Sequence, residues 1–173
     1  MTSTKFPRLV VLTGAGISAE SGLRTFRGND GMWEHENIDD VCTPEGYYRD
    51  KKRVKDFYNF LRKGLKEHEP NAAHFALAEL EQRLGDDFLL VTQNVDNLHE
   101  RAGSTNVIHL HGELTKVRPE DREDSASAFD IGYKDINMGD CDKRGVQLRP
   151  HIVWFGEAVP MFEKAAEAAE EEE

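Results

Sequence analysis

Residues 10–28, VVLTGAGISAESGLRTFRG, limit what this chain can fold into more than any other stretch. An apolar run, Leu9 to Leu12, meets Thr13 and two closely spaced glycines, Gly14 and Gly16. Small residues continue through Ser18, Ala19, Ser21 and Gly22. That order predicts a buried strand, a tight turn and a helix N-terminus. Such a turn offers backbone N–H groups to a phosphate, and the helix dipole favours the negative charge. Gly14-x-Gly16-x-x-Ala19 fits the dinucleotide fingerprint G-x-G-x-x-G/A, although an ordinary glycine-rich strand-to-helix turn reads the same way.

The rest of the chain supplies an α/β pattern. After a loop from Arg24 to Trp33, Thr43-Pro44-Glu45 reads as a helix cap with proline at the first helical position. Val54, Phe57, Tyr58, Leu61 and Leu65 recur at helical spacing. Asn71 is the expected cap of a second helix carrying Phe75, Leu77, Ala78, Leu80 and Leu84, with Gly85 as its stop. His68 and His74 read as surface or capping residues. Phe88–Val91 is a short strand apolar on both faces, as in a parallel sheet. Polar residues from Thr92 to His99 come directly after it, where α/β ligands bind. Asn97–Gly103 reads as a short helix. Val107–Leu110 is a third strand, and alternation places His109 and His111 on one face. With no third ligand adjacent in sequence, one structural and one catalytic histidine are expected rather than a metal pair. Residues 115–148 are polar, with Phe129, Ile131, Tyr133, Ile136 and Met138 as their few anchors. A short apolar strand returns near Leu148–Glu157, and Pro160 opens a last helix whose four terminal glutamates should fray it.

Charge narrows the function. The net charge is −11, which argues against nucleic acid as a partner. No run is long enough for a membrane span. Cys42 and Cys141 stand alone, with no C-x-x-C pair, which suits a reducing compartment and a cytoplasmic location. A conventional dehydrogenase should carry an acid at the end of a second strand about 20 residues after the glycines. Here the second strand begins only at Phe88, and Asp39-Asp40 falls in a polar loop. The dinucleotide reading therefore needs another architecture.

Four segments in one order point to it: GAGISAESG with TFRG (14–28), TQNVDNLHERAG (92–103), HLHGEL (109–114) and RPHIVWFGE (149–157). They resemble the sirtuins, the NAD-dependent protein-lysine deacylases, and TPEG (43–46) is most similar to the bacterial branch. The resemblance implies a Rossmann-like parallel sheet from 1–33, 87–114 and 149–173, a helical insertion at 34–86, and a small module at 115–148. It implies that Gly14, Ala15, Gly16 and Ser18 lie against the NAD diphosphate. Glu20, Thr25, Phe26, Arg27 and Trp33 would complete that side. Gln93, Asn94 and Asp96 would hold the nicotinamide ribose and carboxamide, with Asn94 and Asp96 serving catalysis. His111 would be the general base, an imidazole being suited to proton transfer near neutral pH. It would take a proton from a ribose hydroxyl after the acyl-lysine oxygen has captured C1′, giving lysine, nicotinamide and O-acyl-ADP-ribose. Val153, Phe155, Gly156 and Glu157 would receive the substrate as an added strand.

Three departures from the family pattern carry expectations. Most sirtuins place four cysteines between HGEL and WFGE, whereas that interval here holds only Cys141, so a Cys₄ zinc site cannot form and zinc is not expected. Relatives that remove succinyl groups place Tyr and Arg three residues apart. Tyr58 is present, but position 61 is leucine and Arg62 is one residue, about 100°, further round the helix. Neutral acyl groups are therefore the expected substrates. Finally, the G-T-S and N-x-E segments that complete the sheet and cup the adenosine are not in this sequence, so weak NAD binding is expected. ADP-ribosyl transfer, or an inactive NAD- or acyl-lysine-binding fragment, are the alternatives.

Overall fold

The computed structural model describes residues 8–24 and 32–170. Thr25, Phe26 and Arg27, expected at the cofactor, lie outside the described residues, as do the last three glutamates.

Strand β1 (Leu9–Thr13) runs into Gly14, as the apolar run predicts, but it is not the buried strand expected: it lies at the edge of its sheet, and Leu9 and Leu12 are exposed. The next element is not an α-helix but a 3₁₀ helix, Ala15–Ser21, closed by Gly22 at φ 88°. Strands β2 (Met32–Trp33) and β3 (Glu36–Asn37) form a hairpin whose two turn residues, Glu34 and His35, both have positive φ. Asp39 and Asp40, expected in a loop, instead open helix α1 (Ile38–Val41), where Asn37 accepts a hydrogen bond from the Asp39 N–H. Acids in a first turn complement the helix dipole.

Helix α2 (Pro44–Arg49) begins as the sequence predicts, with the Thr43 hydroxyl accepting from the Gly46 N–H at 3.0 Å. Helix α3 (Lys51–Gly64) buries Val54, Phe57 and Tyr58. Helix α4 (Ala72–Leu84) is capped by Asn71, as expected, and His74 is a capping residue too, accepting from the Asn71 N–H at 3.1 Å. Its buried face differs from the apolar reading. His74, Ala78 and Glu81 point inward, while Phe75 is 53% exposed. Periodicity misleads here because the buried polar groups are fully engaged. Glu81 accepts from the N–H groups of Thr105 and Asn106.

Strand β4 (Phe88–Thr92) is buried throughout. Helix α5 (Leu98–Ala102) ends at Gly103 and leads to β5 (Val107–His109). These strands form a parallel sheet in the order β1-β4-β5. Register aligns Thr13 with Thr92 and Thr92 with His109, so three polar side chains share the carboxyl end of the sheet. Strand β6 (Gly112–Pro119) pairs antiparallel with β7 (Phe129–Asp130) and β8 (Leu148–Ile152) in a second sheet. Strand β8, grouped with the Rossmann-like part on sequence, thus belongs to the antiparallel sheet. Helix α6 (Phe162–Glu170) packs Ala165 and Ala168 on the parallel sheet.

Of the five expected anchors in 115–148, Ile136 is buried among Val117 and Leu148, and Ile131 packs on that cluster. Phe129 and Met138 are exposed. Helix α3 supplies the missing hold. Asn59 exchanges hydrogen bonds with the Ile136 backbone at 2.9 and 3.0 Å.

Candidate active site

A cavity of about 530 Å³ opens where the carboxyl ends of β1 and β4 face α3 and β8. One wall carries Ala15, Ser18, Gln93, Asn94, Asp96 and His111, and the other is mainly apolar, with Leu61, Leu65, Leu114, Ile152 and Trp154.

The polar wall is set by how the 92–96 loop is held. The Leu110 N–H donates to the Thr92 carbonyl at 2.9 Å and the Leu114 N–H to the Val95 carbonyl at 2.8 Å. Between them, His111 Nδ1 donates to the Gln93 carbonyl at 3.2 Å and His109 Nδ1 to the Asn94 carbonyl at 2.8 Å. With its carbonyls engaged on one side, the loop presents side chains on the other. Asn94 Nδ2 donates to the Gly14 carbonyl at 3.0 Å, and Ser18 Oγ donates to Asp96 Oδ2 at 2.9 Å. The glycine turn and the 92–96 loop are thereby one unit. Because a carbonyl only accepts, His111 carries its proton on Nδ1, which leaves Nε2 as the acceptor in the neutral ring.

Beneath this wall lies a buried polar layer. Thr13 Oγ1 donates to Thr92 Oγ1 at 2.8 Å and meets His99 Nε2 at 2.9 Å. Burial lowers the pKa of His99 to about 4, and lowers that of His151, on β8, to about 4. In the unfolded chain both titrate near 6.5. Below that value the unfolded chain gains protons that the folded chain refuses, so stability present at neutral pH is lost between about 6.5 and 4. Urea unfolding at pH 7 and pH 5 should show a loss to which His99 and His151 each contribute on the order of 2 kcal/mol, offset in part by His109, whose raised pKa acts in the opposite direction.

Several expected site residues are placed elsewhere. Tyr58 is fully buried, its hydroxyl donating to the Val41 carbonyl and accepting from Trp154 Nε1. Arg62 is fully buried as well, donating to the Leu114 carbonyl at 2.6 Å and to Asn59 Oδ1 at 2.8 Å. Neither lines the cavity, and this corrects their expected substrate role. The reason is helical geometry: Leu61 and Leu65 take the face turned to the cavity, and Arg62 turns to the second sheet. Glu20 is exposed and does not line the cavity. Trp33 lines it, with its ring 5.2 Å from that of Phe57. Val153, Phe155, Gly156 and Glu157 line it also.

The added-strand expectation needs amendment. The Val153 N–H already donates to the His111 carbonyl and the Phe155 N–H to the Cys42 carbonyl, both at 2.9 Å. The Trp154 N–H donates to Glu157 Oε1. Glu157 in turn forms a two-point pair with Arg149, whose guanidinium lies 3.6 Å over the Trp154 ring. Arg149 and Cys42 are site-building residues that sequence reasoning missed. The spacing of Arg149 to Glu157 carries no helical or strand signal, whereas the i, i+4 pair Leu61 and Leu65 could have been found from periodicity.

Of the glycine turn, Ala15 and Ser18 line the cavity, and a Cβ added at Gly14 or Gly16 would meet nothing within 4 Å among the described residues. The class defined by this fold is a Rossmann-like α/β protein with a cavity at the carboxyl end of its parallel sheet.

A Sir2 family model matches residues 14–173. An NAD-dependent protein deacylase of Pasteurella multocida is 57% identical, over 97% of this chain and 72% of that protein. One from Escherichia coli O6:H1 is 58% identical over 87% of this chain, which spans 56% of its length. A crystal structure of a Sir2 homolog–NAD complex matches with a TM-score of 0.75 and 44% identity, covering 92% of this chain and 61% of that one. The chain belongs to the Sir2 family.

Proposed function

We propose that this chain carries the NAD-dependent protein-lysine deacylase activity for which its relatives are named, transferring an acyl group from lysine to ADP-ribose. The observation that carries this reading is one cavity holding His111, Asn94 and Asp96 on one wall and an apolar acyl chamber on the other. Bound NAD would supply an electrophilic ribose carbon with nicotinamide as its leaving group. Gly14, Ala15, Gly16 and Ser18 would take the diphosphate, and Gln93, Asn94 and Asp96 the nicotinamide ribose and carboxamide. His111 Nε2 would remove a proton from a ribose hydroxyl, its ring held by the Gln93 carbonyl. The partner is an acyl-lysine segment of a protein.

Leu61 and Leu65 in the chamber, with Arg62 turned away, favour neutral acyl groups. A carboxylate set beside Leu61 and Leu65 would lose hydration that the turned-away Arg62 cannot replace. Release of nicotinamide from NAD, dependent on acyl-lysine peptide, tests the reading. Acetyl peptide is expected to outpace succinyl peptide by at least about tenfold, and a faster succinyl reaction would show that Arg62 reaches the substrate.

A further inference from the structure

His109 is buried and does not line the cavity, so acyl transfer leaves it without a task. Its ring bridges two elements. Nδ1 donates to the Asn94 carbonyl at 2.8 Å, and Nε2 lies 2.5 Å from Glu100 Oε1 on α5. Both partners accept, so both ring nitrogens carry protons and the pair is an imidazolium facing a carboxylate. Burial alone would lower the His109 pKa, but the Glu100 hydrogen bond and charge, with Glu113 beyond, raise it. Burial would raise Glu100, and His109 lowers it instead. The other charged neighbours are accounted for. Lys116 neutralises Glu113 at 2.7 Å, and burial disfavours charge on His99.

Among the carbonyls from Thr92 to Val95, only that of Asn94 is held by a buried side chain that forms an ion pair with a helix. Asn94 is also tied at its N–H, to Thr92 Oγ1 at 3.1 Å, and at its side chain, to the Gly14 carbonyl. We propose that His109, paired with Glu100, is a positioning residue that fixes the Asn94 peptide and so aims the Asn94 side chain across the glycine turn for cofactor binding. The proposal rests on the NAD reading above. Glu100, His109 and Glu113 also bring ligand atoms within 4.8 Å of one another, but their charges are already balanced by one another and by Lys116, which favours a latch over a cation site.

Two variants test it. Glu100→Gln changes a surface-side group and removes the charge while keeping an acceptor. His109→Leu removes both donors. The KM for NAD is expected to rise about threefold in Glu100→Gln and about tenfold or more in His109→Leu, with the acyl-peptide KM unchanged. In ¹⁵N NMR at neutral pH both His109 ring nitrogens should be protonated in the unmodified chain. In Glu100→Gln, Nε2 should lose its proton and the Asn94 side-chain amide should shift. An unchanged NAD KM in both variants would overturn the proposal. So would a fall of melting temperature with both KM values rising together, or displacement of the ring protons by one equivalent of zinc. If the unmodified chain turns over no NAD, the functional reading fails, and the Asn94 amide then decides: a resonance unmoved in Glu100→Gln refutes the latch.

Discussion

Replacing His111 with alanine is expected to slow formation of O-acyl-ADP-ribose by roughly 10²- to 10⁴-fold, the usual worth of a positioned general base. The geometry makes this a test of chemistry rather than of folding. His111 sits in the turn between β5 and β6 and makes one side-chain hydrogen bond, to the Gln93 carbonyl at 3.2 Å. It is only half-buried, so the truncation opens no core cavity and the melting temperature should move little. Single-turnover product formation, with a thermal melt beside it, reads both quantities. A rate unchanged by the substitution would remove His111 from the mechanism and turn attention to Asp96, the carboxylate on the same wall.

What could be read from the sequence divides along physical lines. Local backbone chemistry was legible: Thr43 and Asn71 cap their helices, Gly85 and Gly103 stop theirs, and the Leu9–Leu12 run is a strand. The polar cavity wall was legible because its residues come from contiguous motifs at strand ends. Arg62 shows the limit. A charged residue on an amphipathic helix reads as available to a ligand, yet its guanidinium is buried against the Leu114 and Lys134 carbonyls, partners 52 and 72 residues away. Glu81 on α4 and Arg149 before Glu157 fail for the same reason, since a buried polar group is satisfied only by tertiary partners that no local pattern encodes. The glycine motif predicted a helix, and the structure has a 3₁₀ helix there whose Ser18 bonds to Asp96 and Asn94, partners that no local pattern encodes.

Gly112→Ala should be the most damaging glycine-to-alanine change among the described residues, costing roughly 3–5 kcal/mol of stability and most of the activity. Gly112 has φ 85°, a region in which a side chain is strained by about 1–2 kcal/mol. The larger part is contact. A Cβ there would lie 2.0 Å from the His151 carbonyl oxygen, 2.8 Å from its carbon and 3.0 Å from the Ile152 Cα, all backbone atoms of β8. No rotamer relieves a backbone clash, so β6 and β8 must separate where Gly112 pairs with Ile152. That movement would pull on the hydrogen bond from Val153 to the His111 carbonyl and displace His111, the proposed general base. Gly16→Ala supplies the contrast. Its Cβ meets nothing within 4 Å and its φ is not left-handed, so stability should hold within about 1 kcal/mol while NAD binding weakens, the methyl standing where a diphosphate would approach the turn. Urea denaturation and NAD titration on the two variants separate the roles, because one glycine is required by the fold and the other by the ligand. Equal loss of stability in both would mean that the glycine turn is a packing feature and that the fingerprint has been misassigned.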